Sequence, residues 1–145
     1  MQDYPHRYKA AAQGAAEGVI DTGSPGLESI PTMPPPEFDG PGDKWSPETL
    51  LVGAVANCYI LTFRAVAKAS NFEWNSLTVE VDGILDRIER QTQFLEFYID
   101  VTLNLPSGTD AKKAHRLCER SEQACLITNS LTGKKILNVA LVHED

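Results

Sequence analysis

Apolar residues recur at three- and four-residue steps from Leu50 to Val66, and this run organises the chain. Leu50, Leu51, Ala54, Val55, Cys58, Leu61, Thr62, Ala65 and Val66 share the stripe, while Val52 and Ala56 widen it around much of the cylinder. That pattern predicts a central, buried helix. Ser46 suits its N-cap, Pro47 its first position and Glu48 its first turn, where the dipole favours a carboxylate. Its end falls near Ser70 and Asn71.

Elsewhere the period changes. Leu77, Val79 and Val81 alternate with Thr78, Glu80 and Asp82. Leu95, Phe97, Ile99, Val101, Leu103 and Leu105 alternate with Phe94, Glu96, Tyr98, Asp100, Thr102 and Asn104. Both runs predict strands with one buried face, joined by Asp86 to Gln93 as a charged hairpin. Thr109 or Asp110 opens a second helix to about Ala124, with Ala114, Leu117, Cys118 and Ser121 inward. Thr132-Gly133-Lys134 reads as a turn and Ile136 to Val142 as a last strand. Before the central helix, Tyr4 to Ala12 predicts a first strand, with Gln13-Gly14 as a turn. Gly18 to Asp21 and Leu27 to Ile30 predict two short strands around Gly23-Ser24-Pro25-Gly26. Pro31 to Trp45 is a proline-rich ordered loop: a plain connection, or a pocket wall carrying Met33, Phe38 and Trp45. The sum is a single α+β domain over residues 1–145, mostly antiparallel sheets with a long central helix.

Charge narrows the function classes. A net charge of −7 without a Lys/Arg cluster argues against nucleic acid and anionic membrane as partners. Asn57 and Arg64 interrupt the longest apolar run short of a membrane span, and Met1-Gln2-Asp3-Tyr4 lacks the apolar core of a signal peptide. The cytoplasm is the expected compartment. Cys58, Cys118 and Cys125 are too few, and odd in number, for a secreted disulfide framework. His6, His115 and His143 stand singly, so no metal or bound cofactor is expected.

A cysteine in an apolar helix is usually a small hydrophobe. Its surroundings here point further. Ser46-Pro47-Glu48-Thr49-Leu50-Leu51, then Ala54 through Asn57-Cys58, resembles the N-P-E-x-L…A-x-x-A-x-C motif of the OsmC/Ohr family, the osmotically inducible and organic-hydroperoxide-resistance proteins. Ala124-Cys125-Leu126-Ile127-Thr128-Asn129-Ser130-Leu131 resembles that family's C-P-[IV]-[ST]-x-[AST]-L segment. The resemblance implies an intertwined homodimer with two sites at its interface. It also implies thiol-dependent reduction of small organic hydroperoxides, with Cys58 peroxidatic, Cys125 resolving and a lipoyl-type dithiol as reductant.

The residues carry a physical reading beside this one. A peroxidatic thiol reacts as thiolate and becomes a sulfenic acid, which a second thiol then captures. Cys125, near a helix C-terminus where the dipole disfavours a thiolate, suits the capturing role. The apolar helix face suits organic peroxides better than hydrogen peroxide. Glu48 precedes Cys58 by ten residues, about 15 Å along an ideal helix and on another face. If it serves a reactive cysteine, that cysteine belongs to a partner subunit. Two departures stand out. Active members carry an arginine in the early glycine-containing turn, where this chain reads Gln13-Gly14-Ala15-Ala16-Glu17-Gly18; Arg7, Lys9 or His6, or else a residue of a partner subunit, is the candidate cation. Leu126 replaces the second motif's proline, a change expected to alter the local turn more than the chemistry. Cys118, seven residues before Cys125, is about 10 Å from it along a helix and reads as core. A non-catalytic member that binds a hydrophobic molecule or senses redox state is the alternative, with purely structural cysteines as a third reading.

Overall fold

The computed structural model describes all residues, Met1 to Asp145. The chain divides into two compact units, Met1–Leu51 and Val52–Asp145.

The first unit holds a small antiparallel sheet of β1 (Ala11–Gln13), β2 (Ile20–Gly23) and β3 (Ile30–Thr32), in that order. Pro25 and Gly26 form the β2–β3 turn, as the sequence predicts. The first strand is much shorter than Tyr4 to Ala12. Residues before Ala11 have no neighbour strand here, and β1 keeps only the stretch that pairs with Asp21 to Gly23. The proline-rich loop is ordered by its own backbone. Phe38 and Gly40 both donate to the Pro35 carbonyl, at 2.9 and 3.0 Å. Gly40 is obligatory: a Cβ there would lie 1.6 Å from the Pro34 carbonyl oxygen. Met33 N–H donates to the Trp45 carbonyl at 2.9 Å, tying the loop's end to β3.

Helix α1 spans Pro47–Ala69, starting in the first unit and running into the second. Ser46 caps it as the sequence predicts: the Thr49 N–H donates to Ser46 Oγ at 3.1 Å, and Ser46 N–H donates back to Thr49 Oγ1 at 2.9 Å. This is a reciprocal capping box with threonine in the usual glutamate position. At the far end Asn71 takes a left-handed φ of 49°. Phe72 N–H then reaches the Ala67 carbonyl and Asn71 N–H that of Lys68, closing a Schellman motif. Contrary to expectation, Asn57 and Arg64 do not hold the apolar run short of a membrane span. At 23 residues α1 is long and apolar enough to cross a membrane. Its packing against a sheet marks it instead as a core helix of the second unit.

That sheet has the order β4-β5-β6, from β4 (Ser76–Ile88), β5 (Gln91–Pro106) and β6 (Lys134–Glu144). Strands β4 and β5 run through the expected Asp86–Gln93 hairpin and leave only Glu89 and Arg90 as its turn, at φ 52° and 70°. Both central residues at positive φ match the right-handed strand twist. Between Ile84/Leu85 and Glu96/Phe94 the register shifts by one residue, at Leu95. The bulge turns Phe94, not Leu95, onto the core face, where its ring lies 5.4 Å from that of Phe97. Alternation alone predicted the opposite, because a bulge resets the period of two. Strand β6 is longer than Ile136 to Val142 and runs parallel to β5. Helix α2 (Ala111–Ala124) supplies the crossover that a parallel pair needs. The other strand pairs are antiparallel.

Asp110 caps α2 through the N–H groups of Lys112 and Lys113, and Ala114, Leu117, Cys118 and Ser121 face inward as predicted. On α1 the buried set is Val55, Cys58, Tyr59, Phe63 and Ala67. Leu61 and Ala65, expected inside, are exposed. A helix apolar around most of its girth does not specify which face its own sheet covers. Here the four-residue step from Val55 to Ala67 follows the sheet.

Candidate functional site

Cys58 and Cys125 are brought together. Cys58 lies midway along α1 and is 9% exposed, and Cys125 is 1% exposed. Both are free thiols. Cys125 stands at the C-terminal end of α2, as expected. It terminates α2 and at once caps a short helix α3 (Leu126–Asn129), with φ −66° and ψ 109°. This extended residue breaks the two helices apart and places the first amides of α3 beside Cys58.

The sulfurs differ in their environment. Burial pushes the Cys58 thiol up, but the Ile127 N–H, the Cys125 thiol, the Thr62 hydroxyl and the Leu126 N–H together outweigh it. The net effect holds Cys58 below the ordinary thiol value. Thr62 sits one turn on, its hydroxyl 3.8 Å from Cys58 Sγ and 2.8 Å from the Cys58 carbonyl. Cys125 is held above the ordinary value, chiefly by burial, although Thr128 donors oppose it; its hydrogen bond to Cys58 and the charge on Cys58 add to the rise. The pair is thus split, Cys58 shifted down and Cys125 shifted up. Sequence reasoning assigned Cys125 the same direction through a helix dipole, whereas burial is the larger cause.

Cys118 is fully buried, and its thiol is pushed up to about 11, mainly by burial. Tyr59 Oη donates to the Cys118 carbonyl at 2.8 Å, bracing α1 against α2. It is core, as expected. Glu48 sits in the first turn of α1 with one buried carboxylate oxygen that has no hydrogen-bond partner in the chain. Arg7 is exposed, and the only ion pair formed is Lys44–Asp43. Of the three loop candidates, Trp45 lines an open hollow of about 610 Å³, with Pro31, Gly42, Asp43, Lys44 and Thr49. No cluster of His, Cys, Asp or Glu has the makings of a metal site.

Leu126, in the place of the motif's proline, opens α3 and is exposed. The lowered Cys58 thiol was invisible from side-chain types, because half of its donors are backbone.

The pattern of OsmC-like protein matches residues 40–139. The chain belongs to the OsmC-like family. The uncharacterized protein YmaD of Bacillus subtilis is 32% identical over 102 residues, 68% of each chain. An OsmC-like protein of unknown function from Vibrio cholerae superposes with a TM-score of 0.83 at 17% identity, covering 94% of this chain and 100% of that one. An organic hydroperoxide resistance protein from Elizabethkingia anophelis superposes at 0.79 with 19% identity, covering 99% and 100%. At such identities these structures establish the OsmC-like fold. The two motifs around Cys58 and Cys125 lie inside the matched range.

Proposed function

We propose that this OsmC-like protein is a thiol peroxidase for small organic hydroperoxides, acting in the cytoplasm in defence against oxidative stress. The observation that carries the reading is the juxtaposition of two free thiols of opposite bias, Cys58 lowered and Cys125 raised. The Cys58 thiolate attacks the outer peroxide oxygen. The O–O bond breaks, an alkoxide leaves and takes a proton as alcohol, and Cys58 becomes a sulfenic acid. The Cys125 thiol attacks that sulfur, releasing water and forming a Cys58–Cys125 disulfide. A small dithiol of the lipoyl type reduces the disulfide and is itself oxidised.

Apolar surroundings support an organic peroxide. Leu61, on the turn after Cys58, is 53% exposed, and Leu126, beside Cys125, is 66% exposed. The same exposed apolar side of α1 supports a homodimer, as does the β1–β3 sheet, whose Ile20 and Ile30 lack cover. In such a dimer Glu48, with its unpartnered buried oxygen, would serve Cys58 of the partner subunit, and Arg7 would be the candidate cation.

The test is mass spectrometry of alkylated protein after stoichiometric cumene hydroperoxide, with hydrogen peroxide alongside. A fast intrachain Cys58–Cys125 disulfide that favours the organic peroxide and is lost in Cys58→Ser is expected. Cys58 left reduced, or drifting to sulfinic acid alone, removes the enzyme reading and leaves a binding or sensing protein.

A further inference from the structure

Threonine settles into a helix by turning its hydroxyl back to the carbonyl four residues earlier. Thr62 does this on α1, where its hydroxyl donates to the Cys58 carbonyl at 2.8 Å. Residues four apart share a helix face. The same oxygen therefore lies 3.8 Å from Cys58 Sγ, within reach of a sulfur hydrogen bond. Thr62 is half-buried, and it is the one oxygen-bearing side chain in the apolar stripe of α1, where valine would fill the same space. A hydroxyl has one proton to give and lone pairs to accept with. Facing a neutral thiol, it keeps its proton on the carbonyl and accepts from the S–H. Facing a thiolate, it is free to turn about its C–O bond and donate to the sulfur instead.

We propose that Thr62 is a catalytic residue of the Cys58 centre, its hydroxyl exchanging the bond to the Cys58 carbonyl for one to the sulfur when the thiol gives its proton to solvent. The carbonyl lies inside α1 and keeps its helical N–H partner, so the exchange leaves no group orphaned. Cys58 is nearly buried, and a hydrogen bond to its charged sulfur acts there in a low dielectric. Thr62 is among the groups that offset the burial of Cys58 and hold its thiol below the ordinary value. The titratable group that acts on Cys58 from the α2–α3 junction is Cys125, itself held up chiefly by burial. In the adjoining core cluster Tyr59 of α1 and Cys118 of α2 are pushed up by burial and stay neutral, Glu122 of α2 acts on Tyr59, and β4, β5 and β6 contribute apolar side chains. The role of Thr62 deepens the peroxidase reading and rests on it for its purpose, but ionisation is measurable without peroxide.

The experiment compares Thr62→Val with Thr62→Ser in the full chain. Valine removes the hydroxyl and keeps the branched shape, whereas serine keeps the hydroxyl and removes the methyl. The readout is the pH dependence of iodoacetamide alkylation at Cys58, resolved by mass spectrometry. A charge-assisted hydrogen bond is about twice as strong as the neutral one it replaces. The exchange is thus worth roughly threefold to tenfold in thiolate population. Below the wild-type midpoint the valine variant is expected to react more slowly than the serine variant by that factor, and the two rates converge once both thiols are ionised. Coincident profiles overturn the proposal, both when the two variants match the wild type and when both are slowed alike. Should the valine variant fail to fold, Thr62→Ala takes its place in the same comparison, alanine being the best helix former. The outcomes stay separable. A hydroxyl-dependent shift with no peroxide-driven disulfide upholds Thr62 and removes the peroxidase, and a normal disulfide with coincident profiles does the reverse.

Discussion

Gly83 tests the way α1 and the bulged hairpin are packed together, and its substitution by alanine sets two effects against each other. A strand glycine replaced by alanine gains about 0.5–1 kcal/mol from backbone entropy alone. Against this, a Cβ at Gly83 would stand 2.8 Å from Val52 Cγ2 on α1 and 2.8 Å from Phe94 Cε1 on β5. Carbon contacts sit near 3.5–4.0 Å, so both neighbours must retreat by more than half an ångström. Phe94 has little room, because its ring already packs on Phe97, and Phe97 in turn crowds Gly133. Overpacking of this kind costs about 1–3 kcal/mol. The clash therefore outweighs the entropy gain, for a net loss of about 1–2 kcal/mol. Urea unfolding followed by circular dichroism reads it out. With a slope of about 1–3 kcal/mol per molar, the midpoint is expected to fall by roughly half to one molar without a change in slope. Val52→Ala in the same chain removes one of the two obstacles. The double variant is then expected to lose less than the sum of the single losses. A midpoint at or above wild type for Gly83→Ala, or strict additivity in the double variant, would refute the close approach of α1 to the sheet and with it the placement of Cys58.

The remaining expectations concern the thiols and the helix starts. Only thiolate is alkylated, and Cys58 lies below the ordinary thiol value while Cys125 and Cys118 lie above it. Lowering the pH from 9 toward 7 is thus expected to suppress labelling of Cys125 more than that of Cys58, with Cys118 unlabelled until the chain unfolds; peptide mapping of the adducts checks this, and preferential labelling of Cys125 contradicts it. Ser46→Ala removes the hydroxyl that takes the Thr49 N–H and is expected to cost about 1 kcal/mol in urea unfolding. Asp110→Ala, at the start of α2, is expected to cost a similar amount, and a loss of a few tenths or less in either would show that cap to be idle.

What could be read from the chain was whatever depends on neighbours in sequence. Ser46 and Pro47 start α1, Asn71 sits at its end and Asp110 starts α2, because capping involves residues within a few positions of one another. The inward face of α2 was legible because its polar and apolar residues are cleanly separated. The two cysteine motifs named the family and the pair of sulfurs. Other features required the folded chain. The face of α1 that packs on its own sheet, the bulge that exchanges Phe94 for Leu95 and the parallel pairing of β6 all depend on partners distant in sequence. So does the bias of Cys58. Composition offers it no cation in its own helix turn, and the groups that favour its charged form include two backbone amides nearly seventy residues away. Every residue but proline carries an N–H, so a sequence does not reveal where one is aimed; the break between α2 and α3 does.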